Sequence, residues 1–133
     1  MPYVVLDMDV SSRSIKRKLS SPLAVRLTGY AQCVTFVTVG ELWQWAAARS
    51  WGRASRDELE GWLSRAIVLD SDDGVCRTWG RISAEASARG RARPVNGSWI
   101  AACCVSHGLP LATLNVKDYA DLMEHEELRL LTN

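Results

Sequence analysis

Short apolar runs alternate along this chain with longer stretches whose apolar residues recur at helical spacing. The short runs predict five strands, at Tyr3–Leu6, Cys33–Val37, Ile67–Leu69, Leu109–Thr113 and Leu128–Leu131. The longer stretches predict helices near residues 11–30, 38–48, 55–66, 72–89, 96–107 and 119–124. This alternation is typical of α/β domains built on a parallel sheet. We therefore expect a three-layer domain with a central, mainly parallel five-stranded sheet flanked by helices.

Capping residues indicate where several of these helices begin and end. Ser, Thr, Asp and Asn side chains accept hydrogen bonds from the free N–H groups of a first turn, and glycine adopts the left-handed conformation that ends many helices. On this basis the expected helix starts are Thr38, Ser55 (in a capping box with Glu58), Asp72 and Asn96, and the expected ends are Gly90 and Gly108.

Acidic residues lie where these elements meet. Asp7 closes the first strand, Glu41 lies in the first turn of the helix after the second strand, and Asp118 follows the fourth strand. Gly97 and Asn115 belong to the same edge of the sheet. Carboxylates that converge there repel one another unless a cation lies between them. Because Mg²⁺ and Mn²⁺ prefer oxygen ligands and assist attack on phosphodiesters, we expect such a metal and phosphodiester hydrolysis.

Each acid also has a plainer interpretation. Asp7 can be a turn former or a helix cap, Glu41 can favour the helix dipole, and Asp118 can cap the helix that follows it. Asp9 is expected to be a capping or supporting residue. His107 precedes a glycine at a helix end, where a C-terminal charge is favoured over a catalytic base.

Composition indicates one folded domain over residues 1–133. The chain has a net charge of +1 and 47% hydrophobic residues, which is outside the range of disordered chains. Its four cysteines have no zinc-site spacing and lie in apolar stretches, so we expect buried, reduced thiols and a cytoplasmic protein. No signal peptide or membrane span is recognised in the sequence.

Basic residues form two local clusters despite the near-neutral charge. Such clusters are usually solvated faces, but they are also where RNA would contact the protein. The candidates are Arg13, Lys16, Arg17 and Lys18 in one cluster and Arg89, Arg91 and Arg93 in the other. Most tryptophans fall on apolar helix faces, so we interpret them as core or dimer-surface residues rather than platforms for base stacking.

Four segments of the chain resemble the signatures of PIN-domain proteins. Residues 5–10 (VLDMDV) resemble the opening motif Leu-Asp-Thr-Asn-Val, and residues 37–42 (VTVGEL) resemble the second signature, whose Glu is an acidic ligand. Residues 96–102 (NGSWIAA) resemble Asn-Asp-x-x-Ile-Ala-Ala. Residues 109–119 (LPLATLNVKDY) resemble Leu-x-Leu-x-Thr-x-Asn-x-x-Asp-Phe. The resemblance covers essentially the whole chain and is closest to the VapC-type toxins of bacterial toxin–antitoxin pairs.

The resemblance implies a PIN-like fold and a magnesium-dependent (or manganese-dependent) endoribonuclease that cleaves tRNA, rRNA or mRNA. It also implies a homodimer that an antitoxin holds inactive. By position, the implied metal ligands are Asp7, Glu41 and Asp118. Asn115 falls where some relatives carry an acid, so the fourth ligand can be either Asn115 or Asp118. Thr113 is implied as a supporting hydroxyl.

Three residues depart from the family pattern. Met8 replaces a small Thr and Asp9 replaces an Asn, and neither change removes a ligand. Gly97 replaces the third acid, and its neighbour Asn96 carries no charge, so we expect this chain to be catalytically impaired. Between deliberate inactivation of a growth-arresting nuclease and a natural pseudoenzyme, we favour the first.

Two other functional classes remain open at this point. One is a catalytically inactive PIN-like binding module that binds antitoxin or RNA. The other is an unrelated receiver or nucleotide-binding domain in which Asp7 and Asp9 form an acidic pocket. The chain has no glycine-rich phosphate loop, which counts against nucleotide binding.

Overall fold

A computed structural model describes all 133 residues as five strands and seven helices. The strands are β1 (Tyr3–Leu6), β2 (Ala31–Thr35), β3 (Ile67–Leu69), β4 (Leu111–Ala112) and β5 (Leu130–Leu131). The helices are α1 (Met8–Ile15), α2 (Ser21–Leu27), α3 (Phe36–Ala48), α4 (Arg53–Arg65), α5 (Asp73–Ala88), α6 (Val95–His107) and α7 (Val116–Glu126). All five predicted strands are present, most of them with shifted ends.

The five strands form one sheet in the order β3-β2-β1-β4-β5, and every neighbouring pair is parallel. The predicted α/β class and the largely parallel sheet are therefore confirmed. The chain builds outward from β1 to β2 and β3, and later returns to place β4 and β5 on the other side of β1. This reversal of strand order opens a crevice at the carboxyl ends of β1 and β4, which is where α/β proteins bind ligands.

Alternating side chains divide the core between the two faces of the sheet. Val5 of β1 and Leu111 of β4 belong to one buried cluster with residues of α5, α6 and α7. Val4 and Ala112, their neighbours in the same strands, belong to a second cluster with residues of α1 and α2. Successive residues of a strand point to opposite faces, so helices cover both sides and make the predicted three layers.

A third apolar cluster joins the helices around the crevice. It contains buried residues of α1, α3 and α4, namely Ile15, Leu42, Ala46 and Leu59. On another part of the surface the half-buried Trp79 of α5 stacks on Trp99 of α6, with ring centroids 4.6 Å apart and planes 5° apart. The tryptophans thus pack in and around the core, as expected.

The boundary between β2 and α3 differs from the prediction. Phe36 and Val37 were expected to end the strand, but they lie in the first turn of α3. The residue that caps this helix is Thr35 rather than Thr38, and its hydroxyl accepts a hydrogen bond from the Thr38 amide at 3.3 Å. Aromatic and β-branched residues favour strands only weakly, and here Phe36 packs edge-to-face against Trp99 instead.

Other helix starts were also wrong, for local reasons. Ser55 is the third residue of α4, which begins after Gly52, so the expected capping box does not form. The N-terminal cap of α6 is Pro94, and Asn96 lies within the first turn. The caps at Asp72, Gly90 and Gly108 are confirmed, and both glycines have positive φ, 71° and 65°.

The cysteines are all free, and three of the four agree with the prediction of buried thiols. Cys33, Cys103 and Cys104 are buried, and burial raises the pKa of each. Cys76 is exposed, because it faces away from the apolar stripe of α5. No helix has the length and the hydropathy that crossing a bilayer requires.

The cap of α5 provides a direct test of this local structure. The Asp72 carboxylate accepts a hydrogen bond from the Val75 amide at 2.8 Å. We expect Asp72→Ala to lower the free energy of unfolding by about 1 kcal/mol, and Asp72→Asn to retain most of it, because both Asp and Asn are good caps. The measurement is urea denaturation. As a control, Asp73→Ala removes an exposed ion pair with Arg77 and a first-turn negative charge but no cap, and should have a smaller effect.

Candidate active site

The largest cavity of the protein, about 630 Å³, lies at the carboxyl ends of β1 and β4. It is bordered by residues of α1, α3, α6 and α7. Six of the residues predicted from the sequence to belong to the site line it: Asp7, Asp9, Glu41, Asn96, Gly97 and Asn115. Residues far apart in the chain are therefore brought together at the edge of the sheet where they were expected.

Asp7 is fixed by two hydrogen bonds and is only 4% exposed. One carboxylate oxygen accepts from the Val10 amide at 2.9 Å and caps α1, so the capping interpretation is correct. The other oxygen accepts from the Thr113 hydroxyl at 2.5 Å. That hydroxyl in turn accepts a hydrogen bond from the backbone amide of Asn115 at 3.0 Å. The carboxylate thereby links the end of β1 to the segment after β4.

The pKa of the Asp7 carboxyl is raised above its usual value. Burial is the main cause, and the nearby negative charges of Asp9 and Glu41 add to it. The hydrogen bonds from Thr113 and Val10 act in the opposite direction because they stabilise the ionised form. A cation placed beside these carboxylates would offset both the burial and the repulsion.

Glu41 carries the clearest sign of an absent partner. It lies in the second turn of α3, one turn later than predicted, because the helix starts at Phe36. One of its oxygens accepts from the Asn96 side-chain amide at 3.3 Å. The other oxygen is buried and has no hydrogen-bond partner. Buried polar atoms are nearly always satisfied, so this oxygen fits a cation or a donor from a ligand.

Gly97 lies in the first turn of α6 and contributes no functional side chain. A Cβ atom built at this position would meet only the Tyr119 hydroxyl, at 3.6 Å, which is ordinary van der Waals contact. Its backbone does not have the positive φ that would demand glycine. Neither the backbone conformation nor crowding at the Cβ position therefore requires glycine here.

Asp118 lies in a second, adjoining cavity of about 230 Å³. It is exposed in the first turn of α7 and does not border the larger cavity, whereas Asn115 does. Asp118 does not cap α7, whose N-terminal cap is Asn115 without a side-chain bond. The two candidates for a fourth ligand thus line different cavities, and Tyr119 borders both.

No group of three or more His, Cys, Asp or Glu side chains is arranged to hold a metal. Asp7, Asp9 and Glu41 line one cavity without forming such a group, Gly97 supplies no carboxylate, and Asp118 lies in the neighbouring cavity. The hard oxygen atoms of Asp7 and Glu41, with the unpaired oxygen of Glu41, still fit Mg²⁺ or Mn²⁺. Asp7 and Glu41 therefore offer oxygen ligands in one cavity, but no three-residue metal site is formed.

Tyr119 is a site residue that sequence reasoning missed. It is 7% exposed, and burial together with the charge of Asp7 raises the pKa of its hydroxyl. The phenol is therefore a neutral group at the boundary of the two cavities. Its position on the apolar face of α7 made it resemble a core residue in the sequence. Only the juxtaposition with Gly97 identifies it.

Most basic candidates for RNA contact lie away from the cavities or are already paired. Arg13 pairs with Asp9, the Lys16 ammonium lies 4.1 Å from the centre of the Trp45 ring, and Arg89 pairs with Asp121. Arg17 and Arg91 are exposed. Of the seven basic candidates for RNA contact, only Arg93 borders either of the two cavities.

Comparison with known proteins identifies the family and agrees with this fold. The family model described as PIN domain matches residues 4–122. Ribonuclease VapC4 of Mycobacterium tuberculosis is 31% identical over 107 residues, covering 79% of this chain and 82% of that protein. The tRNA(fMet)-specific endonuclease VapC of Shigella flexneri is 30% identical over 119 residues, covering 86% and 88%.

Solved structures give the same result for the fold. The DNA-bound VapBC complex of Salmonella typhimurium contains a chain 25% identical to this one, with a TM-score of 0.78 and 99% and 98% of the two chains covered. VapBC2 of Rickettsia felis, bound to a promoter DNA fragment, gives a TM-score of 0.84 at 17% identity, with 98% of each chain covered. At 17% identity, the similarity to the Rickettsia felis structure concerns the fold alone.

The hydrogen bond between Thr113 and Asp7 can be tested by an isosteric change. We expect Thr113→Val to lower the free energy of unfolding by about 1–3 kcal/mol, because it leaves the buried Asp7 oxygen and the Asn115 amide without their partner. Thr113→Ser keeps the hydroxyl and is the matched control. Equal urea midpoints for the two variants would show that the bond contributes nothing.

A second prediction concerns charge at position 97. In EDTA, Gly97→Asp should melt at a lower temperature than the neutral, similarly sized Gly97→Asn, because a new carboxylate joins Asp7 and Glu41. Added magnesium should raise the melting temperature of the Asp variant more than that of the Asn variant. Differential scanning fluorimetry measures both, and an Asp variant that is the more stable one in EDTA would contradict the expectation.

Proposed function

The chain belongs to the PIN-domain family, and from this premise we propose that it is a metal-dependent endoribonuclease toxin neutralised by a cognate antitoxin. The observation that carries the proposal is the cavity in which Asp7 and Glu41 meet, in a chain at least 30% identical to proteins named ribonucleases over most of its length. The proposed reaction is hydrolysis of phosphodiester bonds of RNA in the cytoplasm. The proposed assembly is a homodimer that binds antitoxin.

The proposed metal ligands are Asp7 and Glu41, with Asn115 or Asp118 as a further oxygen donor. A bound Mg²⁺ or Mn²⁺ lowers the pKa of a bound water and offsets negative charge that develops on the phosphate. Asp7 is held in one orientation by Thr113 and by the amide of Val10. Asn96 holds one oxygen of Glu41 and leaves the other available.

Gly97 is proposed to impair this site strongly in the chain as it stands. Removal of a residue that merely orients a metal ligand commonly costs 10–100-fold in affinity or activity, and loss of a ligand costs more. We therefore expect cleavage at least about 100-fold slower than that of the Gly97→Asp variant. A Cβ atom at residue 97 would make only an ordinary van der Waals contact, with the Tyr119 hydroxyl at 3.6 Å.

A second function is favoured by one specific observation, the absence of any three-ligand metal cluster. A chain with this site can act as a binding module that retains antitoxin or RNA without cleaving it. The fold and the cavity would be unchanged in that case. The two functions differ only in whether restoring the acid restores hydrolysis.

The deciding experiment is cleavage of total bacterial RNA by the unaltered chain and by Gly97→Asp, each with magnesium, manganese or EDTA. The proposal expects metal-dependent cleavage by the Asp variant and little by the unaltered chain or by Gly97→Asn. A Glu41→Gln change in the Asp variant should abolish that cleavage again. Inactivity of the Asp variant with both metals would favour the binding module, and full activity of the unaltered chain would refute the proposed impairment.

A further inference from the structure

The second cavity adjoins the larger one directly across Gly97. Glu41, Asn96, Gly97 and Tyr119 border both cavities. Because residue 97 has no side chain, nothing from α6 projects between them at this point. The structure therefore contains two adjoining cavities, of about 630 and 230 Å³, that share these four residues.

Arg93 provides a fixed positive charge at the second cavity. Its guanidinium donates to the Arg91 carbonyl and to the Asp118 carbonyl, each at 2.9 Å, and the side chain is half-buried. These bonds use Nε and Nη1 and leave Nη2 for another acceptor. An arginine held by two backbone carbonyls loses little further freedom when it binds a ligand, and its planar fork suits phosphate oxygens.

The remaining polar groups of the second cavity include both hydrogen-bond donors and negatively charged carboxylates. The Tyr119 hydroxyl and the Asn96 amide are potential donors, whereas the carboxylates of Glu41 and Asp118 would repel an anion. One oxygen of Glu41 is already paired with the Asn96 amide at 3.3 Å. An anion is therefore favoured on the side of the cavity where Arg93 lies.

We propose that the second cavity binds a backbone phosphate of single-stranded RNA, held by the Arg93 guanidinium and the Tyr119 hydroxyl. This phosphate would neighbour the one that the proposed reaction cleaves in the larger cavity. This inference rests on the proposed function, because RNA is the ligand of both cavities. Successive nucleotides each carry a phosphate, so an RNA strand in the larger cavity would bring a neighbouring phosphate close to the second cavity. Gly97 adds no side chain and no negative charge of its own where the two cavities adjoin.

Arg93→Gln tests the charge, with Arg91→Gln as the matched control. Arg91 is exposed, lines neither cavity and carries the same charge two residues away. The probe is a short fluorescein-labelled single-stranded RNA of mixed sequence, titrated in EDTA by fluorescence anisotropy at several salt concentrations. Arg93→Gln should weaken binding about tenfold or more and reduce the slope of log K against log salt by about 0.7, the value for one phosphate contact.

The control variant should change the affinity and the slope much less. Equal effects of the two changes would overturn the proposal, since they would indicate only a general loss of positive charge. Arg93→Lys protects the test against a folding defect. It should retain most of the salt slope, and urea denaturation verifies that each variant is folded.

A second measurement locates the RNA beside Tyr119. The chain has three tyrosines, so 3-fluorotyrosine labelling gives three fluorine resonances, and Tyr119→Phe assigns one of them. RNA should shift the Tyr119 resonance in the unaltered chain and shift it much less in Arg93→Gln at the same RNA concentration. A Tyr119 resonance that RNA leaves unmoved would overturn the proposal.

Position 97 supplies the last comparison. In EDTA, Gly97→Asp should bind the RNA about tenfold less tightly than the unaltered chain, because it adds negative charge where the two cavities adjoin. The RNA affinity of Gly97→Asn should lie between those of the unaltered chain and Gly97→Asp. If Gly97→Asp cleaves RNA with magnesium but Arg93→Gln and Arg91→Gln bind alike, only the second-cavity proposal fails. If no variant cleaves or binds RNA, both proposals fail.

Discussion

The structure of the site depends on one buried carboxylate, that of Asp7. Its two oxygens hold the first turn of α1 and the hydroxyl of Thr113, so a single side chain joins the end of β1, the start of a helix and the segment after β4. The crevice between β1 and β4 exists because strand order reverses there, but the crevice alone would not fix the side chains around it. The hydrogen bonds of Asp7 give that edge a defined geometry.

The same carboxylate is costly to bury, and its surroundings reduce that cost only in part. Burial and the charges of Asp9 and Glu41 raise its pKa, whereas two hydrogen bonds act in the opposite direction. A PIN-domain site with a full set of acids would carry still more repulsion before metal binds. Glycine at position 97 adds nothing to that repulsion, and under the proposed function it leaves out one metal ligand. Under that proposal, stability without metal and activity with metal would place opposite demands on the residue at position 97.

The fold and part of the site could be predicted from the sequence because they depend on local patterns. Alternating apolar runs identified the five strands, and Asp7 and Glu41 were placed by their positions next to strand ends. Phe36 was misplaced because its aromatic side chain suits a strand as well as a helix, and its packing against Trp99 decides between them. The separation of Asp118 from the larger cavity and the role of Tyr119 depend on how α7 meets α6, which no local pattern encodes.

The Asp7–Thr113 hydrogen bond spans 106 positions along the chain. The Thr113 amide itself donates to the Leu131 carbonyl, so β5 must also be in place before this edge is complete. During synthesis β1 and β2 leave the ribosome early, but the two halves of the crevice cannot join until almost the whole chain has been made. A growing chain therefore carries Asp7 and Glu41 before the crevice has formed, and under the proposed function the RNA-cleaving site would be assembled only when synthesis is nearly complete.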